Sequence, residues 1–210
     1  MKTIIDPERL ESRQRHHLLL SSVAPRPIAW VSTRSRKGIN NLAPYSYFQA
    51  LCGTPPYLMI SMGKRNGGPK DTLRNIQDTG EFVVNLVPET MVSSMNISAG
   101  EYSPDVDEFA LAGVTPAPCQ VVAVPRVAES PVSMEIRLQQ VMPLPGSDYT
   151  LVIGQVLMWH LDPEVMTPEG YVDLERLRPV CRLSHDNYVT FGDVFSLQRP
   201  RVSVSSEKGA

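Results

Sequence analysis

The stretch VSMEIRLQQV, residues Val132–Val141, shows the clearest alternation of apolar and polar side chains in the chain. The apolar positions are Val132, Met134, Ile136 and Leu138. The polar positions are Ser133, Glu135, Arg137 and Gln139. Because successive side chains of a β-strand point to opposite faces, this period of two predicts a half-buried strand with one face in the core and the other in solvent.

Other β-forming runs lie on both sides of this stretch. The longest is Tyr149–Trp159 (YTLVIGQVLMW), which we expect to bend or bulge at Gly154. Three shorter runs are also predicted strands: Ile28–Thr33 (IAWVST), Tyr57–Ser61 (YLMIS) and Glu81–Val87 (EFVVNLV). Ser35–Gly38 is predicted to form a hairpin turn, whereas Asn40–Ser46 contains Pro44 and is expected to be irregular.

Helices are predicted to be few and short. A helix of about two turns should begin at an N-cap, Asp71 or Thr72, and end at Gly80. Glu89–Ser98 and Asp105–Ala112 are predicted to be short helices as well. Nineteen prolines, many at the borders of apolar runs, favour a strand-rich chain. We therefore expect a mainly β, closed or nearly closed antiparallel barrel, in one domain spanning residues 1–210.

Composition excludes several classes of function. The 210 residues have a formal net charge of −2 and no basic block, so nucleic acid is not an expected partner. No apolar stretch approaches the roughly 20 residues of a membrane span, and the charged N-terminus does not resemble an export signal. Three widely spaced cysteines argue against a disulfide framework or a metal site. A cytoplasmic location is therefore expected.

Several segments of the chain occur in an order and at a spacing that are typical of one protein family. They are Pro25–Thr33 (PRPIAWVST), Asn41–Ser46 (NLAPYS), Ser61, Lys70–Thr72 (KDT), Gly80–Asn85 (GEFVVN), Asp107–Phe109, Pro125–Pro131 and Gly154–Val156. The ordered set resembles the flavin reductase-like FMN-binding proteins, which include flavoredoxin and the reductase components of two-component monooxygenases. The resemblance covers about residues 20–190.

This resemblance implies an FMN-binding split β-barrel of Greek-key type with a few short helices. It also implies a homodimer that holds FMN in a groove at or near the subunit interface. Nine residues are expected to surround the flavin: Thr33, Asn41, Leu42, Ala43, Ser46, Ser61, Lys70, Asp71 and Thr72.

The residue types in two of these segments are suited to binding FMN, independently of the family resemblance. Lys70 and Thr72 follow a Gly67–Pro69 turn at a predicted helix N-terminus, where free N–H groups, a cation and a hydroxyl could bind a phosphate. The alternative is an ordinary capped helix with an exposed lysine. Asn41–Ser46 could bond the edge of a flat ring, with Pro44 stiffening the loop, or could be an ordinary polar turn.

Two residues of the first segment have several interpretations. Trp30 could flank the flavin ring, but it alternates like a core residue, so we predict that its side chain packs in the core. Arg26 could contact the phosphate or a second subunit, although a lone arginine is more often solvated at the surface.

Three further candidates come from later in the chain. Glu129 could lie near the flavin ring or between two subunits. His160 ends the long strand and could border the ring, or have a structural or surface role. His185, together with Arg182 and Tyr188, could close the pocket from the C-terminal tail.

The predicted activity needs no catalytic side chain. The chain contains no GxGxxG, GxSxG or HExxH motif, and a flavin would itself carry the redox chemistry. The resemblance implies hydride transfer from NADH or NADPH to FMN, with an oxygenase or another electron acceptor downstream. The alternatives are an electron carrier of the flavoredoxin type, a non-catalytic flavin-binding protein, and an enzyme of the pyridoxamine-phosphate-oxidase type.

Overall fold

The computed structural model describes residues 1–65 and 67–200. Within these ranges the helices are α1 Ser12–Ser22, α2 Asp71–Thr79, α3 Val92–Ser98, α4 Glu108–Ala112 and α5 Leu174–Leu177. The strands are β1 Arg26–Pro27, β2 Ala29–Arg34, β3 Asn40–Tyr45, β4 Phe48–Gly53, β5 Pro56–Gly63, β6 Glu81–Asn85, β7 Pro116–Ala117, β8 Arg126–Val127, β9 Val132–Pro143, β10 Tyr149–Leu161, β11 Cys181–Arg182 and β12 Tyr188–Val189. Single 3-10 turns occur at Pro7–Arg9, Glu89–Met91 and Pro163–Val165. None of the helices described has the length and apolar character needed to span a membrane.

The main sheet has seven strands in the order β3-β2-β6-β9-β10-β5-β4, and every neighbouring pair is antiparallel. Strands β3 and β5 also contact each other, so the sheet curls toward a barrel. Two small antiparallel sheets, β1-β11-β12 and β7-β8, flank it. The predicted mainly β, antiparallel fold is confirmed.

Strand β2 is buried on both faces and separates two hydrophobic clusters. Ala29 and Val31 point into the barrel core with Ile60 and Phe82. Trp30 points the other way, into a second cluster beneath α3 and α4, and is 0% exposed. Its indole Nε1 donates a hydrogen bond of 2.8 Å to the Ser98 hydroxyl, which satisfies its one polar atom. The prediction that Trp30 packs in the core is confirmed.

Asn40–Ser46 was expected to be irregular, and that prediction is wrong. Asn40–Tyr45 forms strand β3, which pairs along its whole length with β2. The strand tolerates Pro44 because β3 lies at the edge of the sheet, where a missing N–H breaks no ladder. The predicted turn at Ser35–Gly38 does connect the two strands as a hairpin. Strand β4 and helix α1 were not predicted.

The predicted start of α2 is corrected by one or two residues. Lys70, not Asp71 or Thr72, is the N-cap, and its side chain makes no capping hydrogen bond. Thr72 lies inside the first turn. Gly80 ends the helix with φ 75°, a left-handed conformation that glycine adopts without strain, as its position in the sequence predicted.

The polar face of β9 is not exposed along its full length. Arg137 and Gln139 are exposed, but Ser133 and Glu135 are both 0% exposed, so the prediction of a fully wet face is wrong. The segment 120–130 covers this end of the strand. The Ser133 hydroxyl donates to Asn85 Oδ1 at 2.8 Å.

Glu135 binds the covering segment through its carboxylate. Both oxygens accept backbone N–H groups, from Gln120 at 2.7 Å, Val121 at 2.7 Å and Val122 at 3.0 Å. His160 Nε2 lies 2.6 Å from Oε1. Burial by itself would raise the pKa of Glu135, but these hydrogen bonds outweigh it and hold the pKa below its ordinary value.

Gly154 lies where two strands lose their regular register. The pairing of β9 with β10 shifts between Ile153 and Gly154, which confirms the predicted irregularity. A Cβ added at Gly154 would collide with Ile136 and lie 2.7 Å from Phe82 Cζ. Only a residue without a side chain fits between these two core residues.

We expect Gly154→Ala to lower the free energy of unfolding by about 1–3 kcal/mol, because the added methyl group overpacks the barrel core. Urea denaturation followed by circular dichroism measures the loss. Gly192→Ala is the matched control, since a Cβ there meets no atom within 4 Å. Equal stability of both variants would show that the core accommodates the methyl group.

We expect Glu135→Gln to lower the free energy of unfolding at pH 7 by about 3 kcal/mol, because an amide nitrogen would face buried N–H donors. The depressed pKa makes the wild-type stabilisation fully present above the ordinary value of 4.5 and lost as pH falls through the lower folded-state pKa. The difference between the two proteins should therefore shrink in acid. Urea titrations at pH 7 and in strong acid test this, with the exposed Glu169→Gln as control. A difference independent of pH would contradict a charged Glu135.

Candidate functional site

A groove of about 690 Å³ opens between the barrel, α1 and the turn that joins β11 to β12. A smaller side pocket of about 100 Å³ adjoins it beside the first turn of α2. Pro44, Tyr45, Lys70 and Ala99 line both cavities, which therefore share a boundary.

The two cavities bring together seven of the nine predicted site residues. Ser46, Ser61 and Lys70 line the groove. Asn41, Ala43, Lys70, Asp71 and Thr72 line the side pocket. Thr33 and Leu42 line neither cavity: both are 0% exposed, and the Leu42 side chain packs in the second hydrophobic cluster.

A buried hydrogen-bond cluster supports the side pocket from below. Asn41 Oδ1 accepts hydroxyl protons from Thr72 at 2.8 Å and from Thr33 at 3.2 Å. Asn41 Nδ2 donates to Glu108 Oε1 at 2.9 Å, and the Leu42 N–H donates to Glu108 Oε2 at 3.1 Å. Thr33 and the Asn41 side chain are thus hydrogen-bonded to protein atoms. These hydrogen bonds hold α2 and α4 against β3.

Glu108 is a site residue that the sequence analysis did not single out. It is 6% exposed and lines the side pocket. Burial raises the pKa of its carboxyl group, while the hydrogen bonds from Leu42 and Asn41 partly offset the rise. The only signal in the sequence was its place within the Asp107–Phe109 segment of the family resemblance.

The groove contains unpartnered buried polar atoms. In the described ranges, four such side-chain atoms have no hydrogen-bond partner: His17 Nδ1, Arg26 Nε, Tyr45 OH and Arg126 Nε. The first three belong to residues that line the groove. Buried polar groups are almost always hydrogen-bonded in native proteins, so these three atoms are exceptions to that rule at the wall of the groove.

Tyr45 and Lys70 meet at the boundary of the two cavities. Burial raises the pKa of the Tyr45 hydroxyl to about 12, so it remains a neutral donor. Lys70 Nζ lies 5.6 Å from the centre of the Tyr45 ring. The pair presents a cation and a hydroxyl to the same space.

Positive charge predominates around the groove. Four of its lining residues carry a permanent cation: Arg26, Lys64, Lys70 and Arg182. Among the described residues that line it, Asp186 has the only carboxylate. A cleft lined by one sign of charge attracts ligands of the opposite sign, so the groove favours anions.

Aromatic side chains form part of the wall. Tyr47 and Tyr149 pack with ring centres 5.5 Å apart, and both line the groove. Planar, apolar surfaces of this kind suit a flat ring. Tyr47 directly follows the predicted Asn41–Ser46 segment, but Tyr149 comes from a distant strand and had no local signal.

Arg26 is neither solvated nor at the surface, which corrects that interpretation. It is 5% exposed, and its guanidinium donates to the carbonyl oxygens of Leu20 in α1, of Val23 directly after α1, and of Leu183. These bonds attach α1 to the C-terminal segment. His185, Arg182 and Tyr188 all line the groove, and their role in closing a flavin pocket stays a prediction.

Glu129 and His160 do not line the groove or the side pocket. Both oxygens of Glu129 accept the Thr115 N–H at 3.0 Å, and His160 Nε2 lies 2.6 Å from Glu135 Oε1. His160 has the structural role that was the alternative interpretation. A place for Glu129 between subunits stays a prediction.

Comparison with known proteins identifies the same family. Residues 20–177 match the family model described as "Flavin reductase like domain". An uncharacterized protein of Halalkalibacterium halodurans is 39% identical over 97% of this chain and 99% of its own length. The crystal structure of nitrilotriacetate monooxygenase component B from Bacillus cereus has 34% identity and a TM-score of 0.91, covering 94% of this chain and 99% of that chain.

A Shewanella frigidimarina structure described as having a split barrel domain has 25% identity and a TM-score of 0.83, and covers 92% of this chain and 96% of that chain. The chain therefore belongs to the family of flavin reductase like domains, and its fold is the antiparallel split β-barrel.

Proposed function

We propose that the protein is a cytoplasmic homodimeric flavin reductase that binds FMN in the groove and takes hydride from NADH or NADPH. The observation that carries this proposal is the groove itself. It combines a positive lining with aromatic walls. FMN carries a dianionic phosphate and a planar ring, so it matches both features. Bound FMN would supply the two-electron chemistry.

Lys70 and the N-terminus of α2 are our proposed phosphate contacts. Lys70 is the N-cap residue, and the first N–H groups of a helix have no intrahelical partner. Arg65 lines the side pocket and adds a second cation there. Asp71 would repel a phosphate, but its carboxylate is paired with Arg74 at 2.9 Å. The carboxyl oxygens of Glu108 are also partnered by protein atoms, since they accept hydrogen bonds from Asn41 Nδ2 and the Leu42 N–H.

The ring would lie in the wider part of the groove. Ser46 and Ser61 supply small hydroxyl groups, and Tyr47 and Tyr149 supply aromatic surface. The Tyr45 hydroxyl can donate to a ring or ribityl oxygen. No side chain has to transfer a proton, because hydride transfer requires only that the two rings stack closely.

An apolar cavity supports the proposal of a homodimer. It measures about 660 Å³ and extends along the edge strand β4, where it is lined almost entirely by apolar residues. Trp159, which lines this cavity, is 47% exposed. Edge strands and apolar patches of this size are usually covered in native proteins, and a second copy of the chain would cover this one.

The comparisons and the cysteines support the remaining parts of the proposal. The similar Bacillus cereus protein is a monooxygenase component, so an oxygenase is our proposed acceptor of the electrons. All three cysteines are free, which fits a reducing compartment.

We expect the purified protein mixed with FMN and NADH or NADPH, without oxygen, to bleach the yellow absorbance of oxidised flavin. The same mixture without protein is the control. A protein that binds FMN but leaves it oxidised with both nucleotides would instead be an electron carrier or a flavin-binding protein. Oxidation of pyridoxamine phosphate would identify the third alternative, an enzyme of the pyridoxamine-phosphate-oxidase type.

We expect Lys70→Ala to weaken FMN binding by about 10-fold to 100-fold, which is the usual effect of losing one charge-assisted hydrogen bond. Quenching of flavin fluorescence on binding measures the dissociation constant. Lys37→Ala is the matched control, because that lysine is exposed and pairs with Asp105 outside the groove. Equal affinity of the two variants would contradict the phosphate assignment.

A further inference from the structure

Three side chains that can ligate a metal ion meet outside the groove. They are Cys119, Glu135 and His160, and one ligand atom of each lies within 4.8 Å of the other two. None of the three lines the groove or the side pocket. A thiolate, a carboxylate and an imidazole are the three kinds of side-chain ligand that zinc prefers in proteins. The cluster is therefore a candidate metal site that the proposed flavin chemistry does not use.

A β-bulge in β10 directs His160 to the face of the sheet that carries Glu135. The pairing of β10 with β9 shifts by one residue between Val156 and Met158. Beyond this shift, His160 pairs with Ser133, which lies two residues from Glu135, so these side chains share one face. Without the extra residue, every side chain beyond the bulge would point to the opposite face, and His160 would lie far from the carboxylate. The bulge therefore brings two of the three ligands together.

Glu135 also fixes the position of the third ligand, Cys119. Its carboxylate accepts the backbone N–H groups of the three residues that directly follow the cysteine, Gln120, Val121 and Val122. The Cys119 side chain is half-buried and packs against a small hydrophobic cluster that includes Val122. Carboxylates that ligate a metal are commonly hydrogen-bonded in this way, since such bonds orient the ligand. The thiol is thus held beside the carboxylate by the fold itself.

The separations within the cluster are close to those of a tetrahedral zinc site. Bond lengths of about 2.0–2.3 Å place the ligand atoms of such a site roughly 3.2–3.6 Å apart. His160 Nε2 lies 2.6 Å from Glu135 Oε1, and no two of the three ligand atoms are more than 4.8 Å apart. Side-chain shifts of about 1 Å therefore suffice to complete the three-ligand coordination.

The charge and exposure of the cluster also suit a cation. Burial, and then the charge of Glu135, raise the pKa of the Cys119 thiol to about 11, whereas the guanidinium of Arg126 acts in the opposite direction. A coordinated dication supplies the positive charge that allows such a thiol to ionise. The His160 side chain is 20% exposed, so an ion and a water ligand can enter from solvent.

We propose that Cys119, Glu135 and His160 bind Zn²⁺, with a water molecule as the fourth ligand. The ion takes the place of the proton between His160 Nε2 and Glu135 Oε1, the imidazole then carries its proton on Nδ1, and the thiol proton passes to solvent. Thiolate and imidazole ligands select zinc over magnesium or calcium. The bound ion links the covering segment 120–130, through the adjacent Cys119, to both β9 and β10. The proposal does not rest on the flavin reductase function.

The test compares Cys119→Ser with Cys52→Ser in the full-length protein after treatment with a chelator. The first variant replaces the thiol with a poorer zinc ligand of similar size, and the second removes an exposed thiol outside the cluster. We expect calorimetric titration of the wild type with Zn²⁺ to show one site per chain with a micromolar or lower Kd. Cys119→Ser should weaken binding by about tenfold or more, and Cys52→Ser should match the wild type.

His160→Gln is a second variant that preserves the local structure. The glutamine amide can still donate an N–H to Glu135, but it is a poor zinc ligand. It should lose Zn²⁺ affinity as Cys119→Ser does, with an unchanged circular dichroism spectrum. With Cd²⁺ in place of Zn²⁺, the wild type and Cys52→Ser should show the ultraviolet charge-transfer band of a cadmium thiolate, and Cys119→Ser should lack it. The band reports sulfur ligation, which a purely structural cysteine would not produce.

Thermal unfolding supplies a further measurement, because a ligand that binds only the folded state raises the melting temperature. Zn²⁺ should raise it for the wild type and for Cys52→Ser, but not for Cys119→Ser. Equal Zn²⁺ affinity of the wild type, Cys119→Ser and His160→Gln would overturn the proposal. A wild type that binds no Zn²⁺ at micromolar concentrations would also overturn it, whether or not the variants fold. Neither result affects the reduction of FMN, because the cluster does not line the groove.

Discussion

The hydrogen bonds of Asn41 are the constraint on which the geometry of the site depends. Its amide oxygen binds Thr72 in the first turn of α2, and its amide nitrogen binds Glu108 in α4. Three elements that are distant in sequence thereby share one buried side chain. Because Thr72 lies two residues from Lys70, the same bonds that close the cluster also set the position of the lysine beside Tyr45. A buried network of this kind is stabilising only when each member is satisfied, so it fixes one arrangement.

Buried polar side chains that bind distant parts of the backbone also stabilise the outer wall of the barrel. Val127 N–H donates to Asn85 Oδ1, and Ala123 N–H donates to Glu81 Oε2. Together with Glu135, these side chains bind the backbone of an irregular segment that has no strand partner for most of its length. Alternation in a sequence separates apolar from polar positions, which is why the strand at Val132 was predictable. It cannot distinguish a polar side chain that meets water from one that meets the backbone of a covering loop.

The predictable part of the site is the part that is local in sequence. Lys70 and Thr72 are recognisable because a glycine-rich turn and a helix start adjoin them, and Ser46 because it follows a proline-containing segment. The Leu42 side chain does not line the pocket because, in a strand, its neighbour Asn41 faces the pocket while Leu42 faces the core. Tyr149 and His17 reach the groove only through long-range packing, and no local pattern encodes such contacts. The family resemblance therefore indicated which segments form the site more accurately than it indicated which side chains face it.

The two walls of the groove differ in how firmly they are attached to the rest of the protein. The barrel wall is held by complete ladders and a dense core, but α1 has no buried residue. Its C-terminal carbonyl groups at Leu20 and Val23 are bonded to Arg26, and His17 stacks on His185. An element with few apolar contacts opens at a small cost in free energy. The α1 wall is therefore the side of the groove that opens at the lower cost in free energy, and the barrel wall is the more rigid side. In the proposed reductase, this difference would let one ligand exchange while the other stays bound.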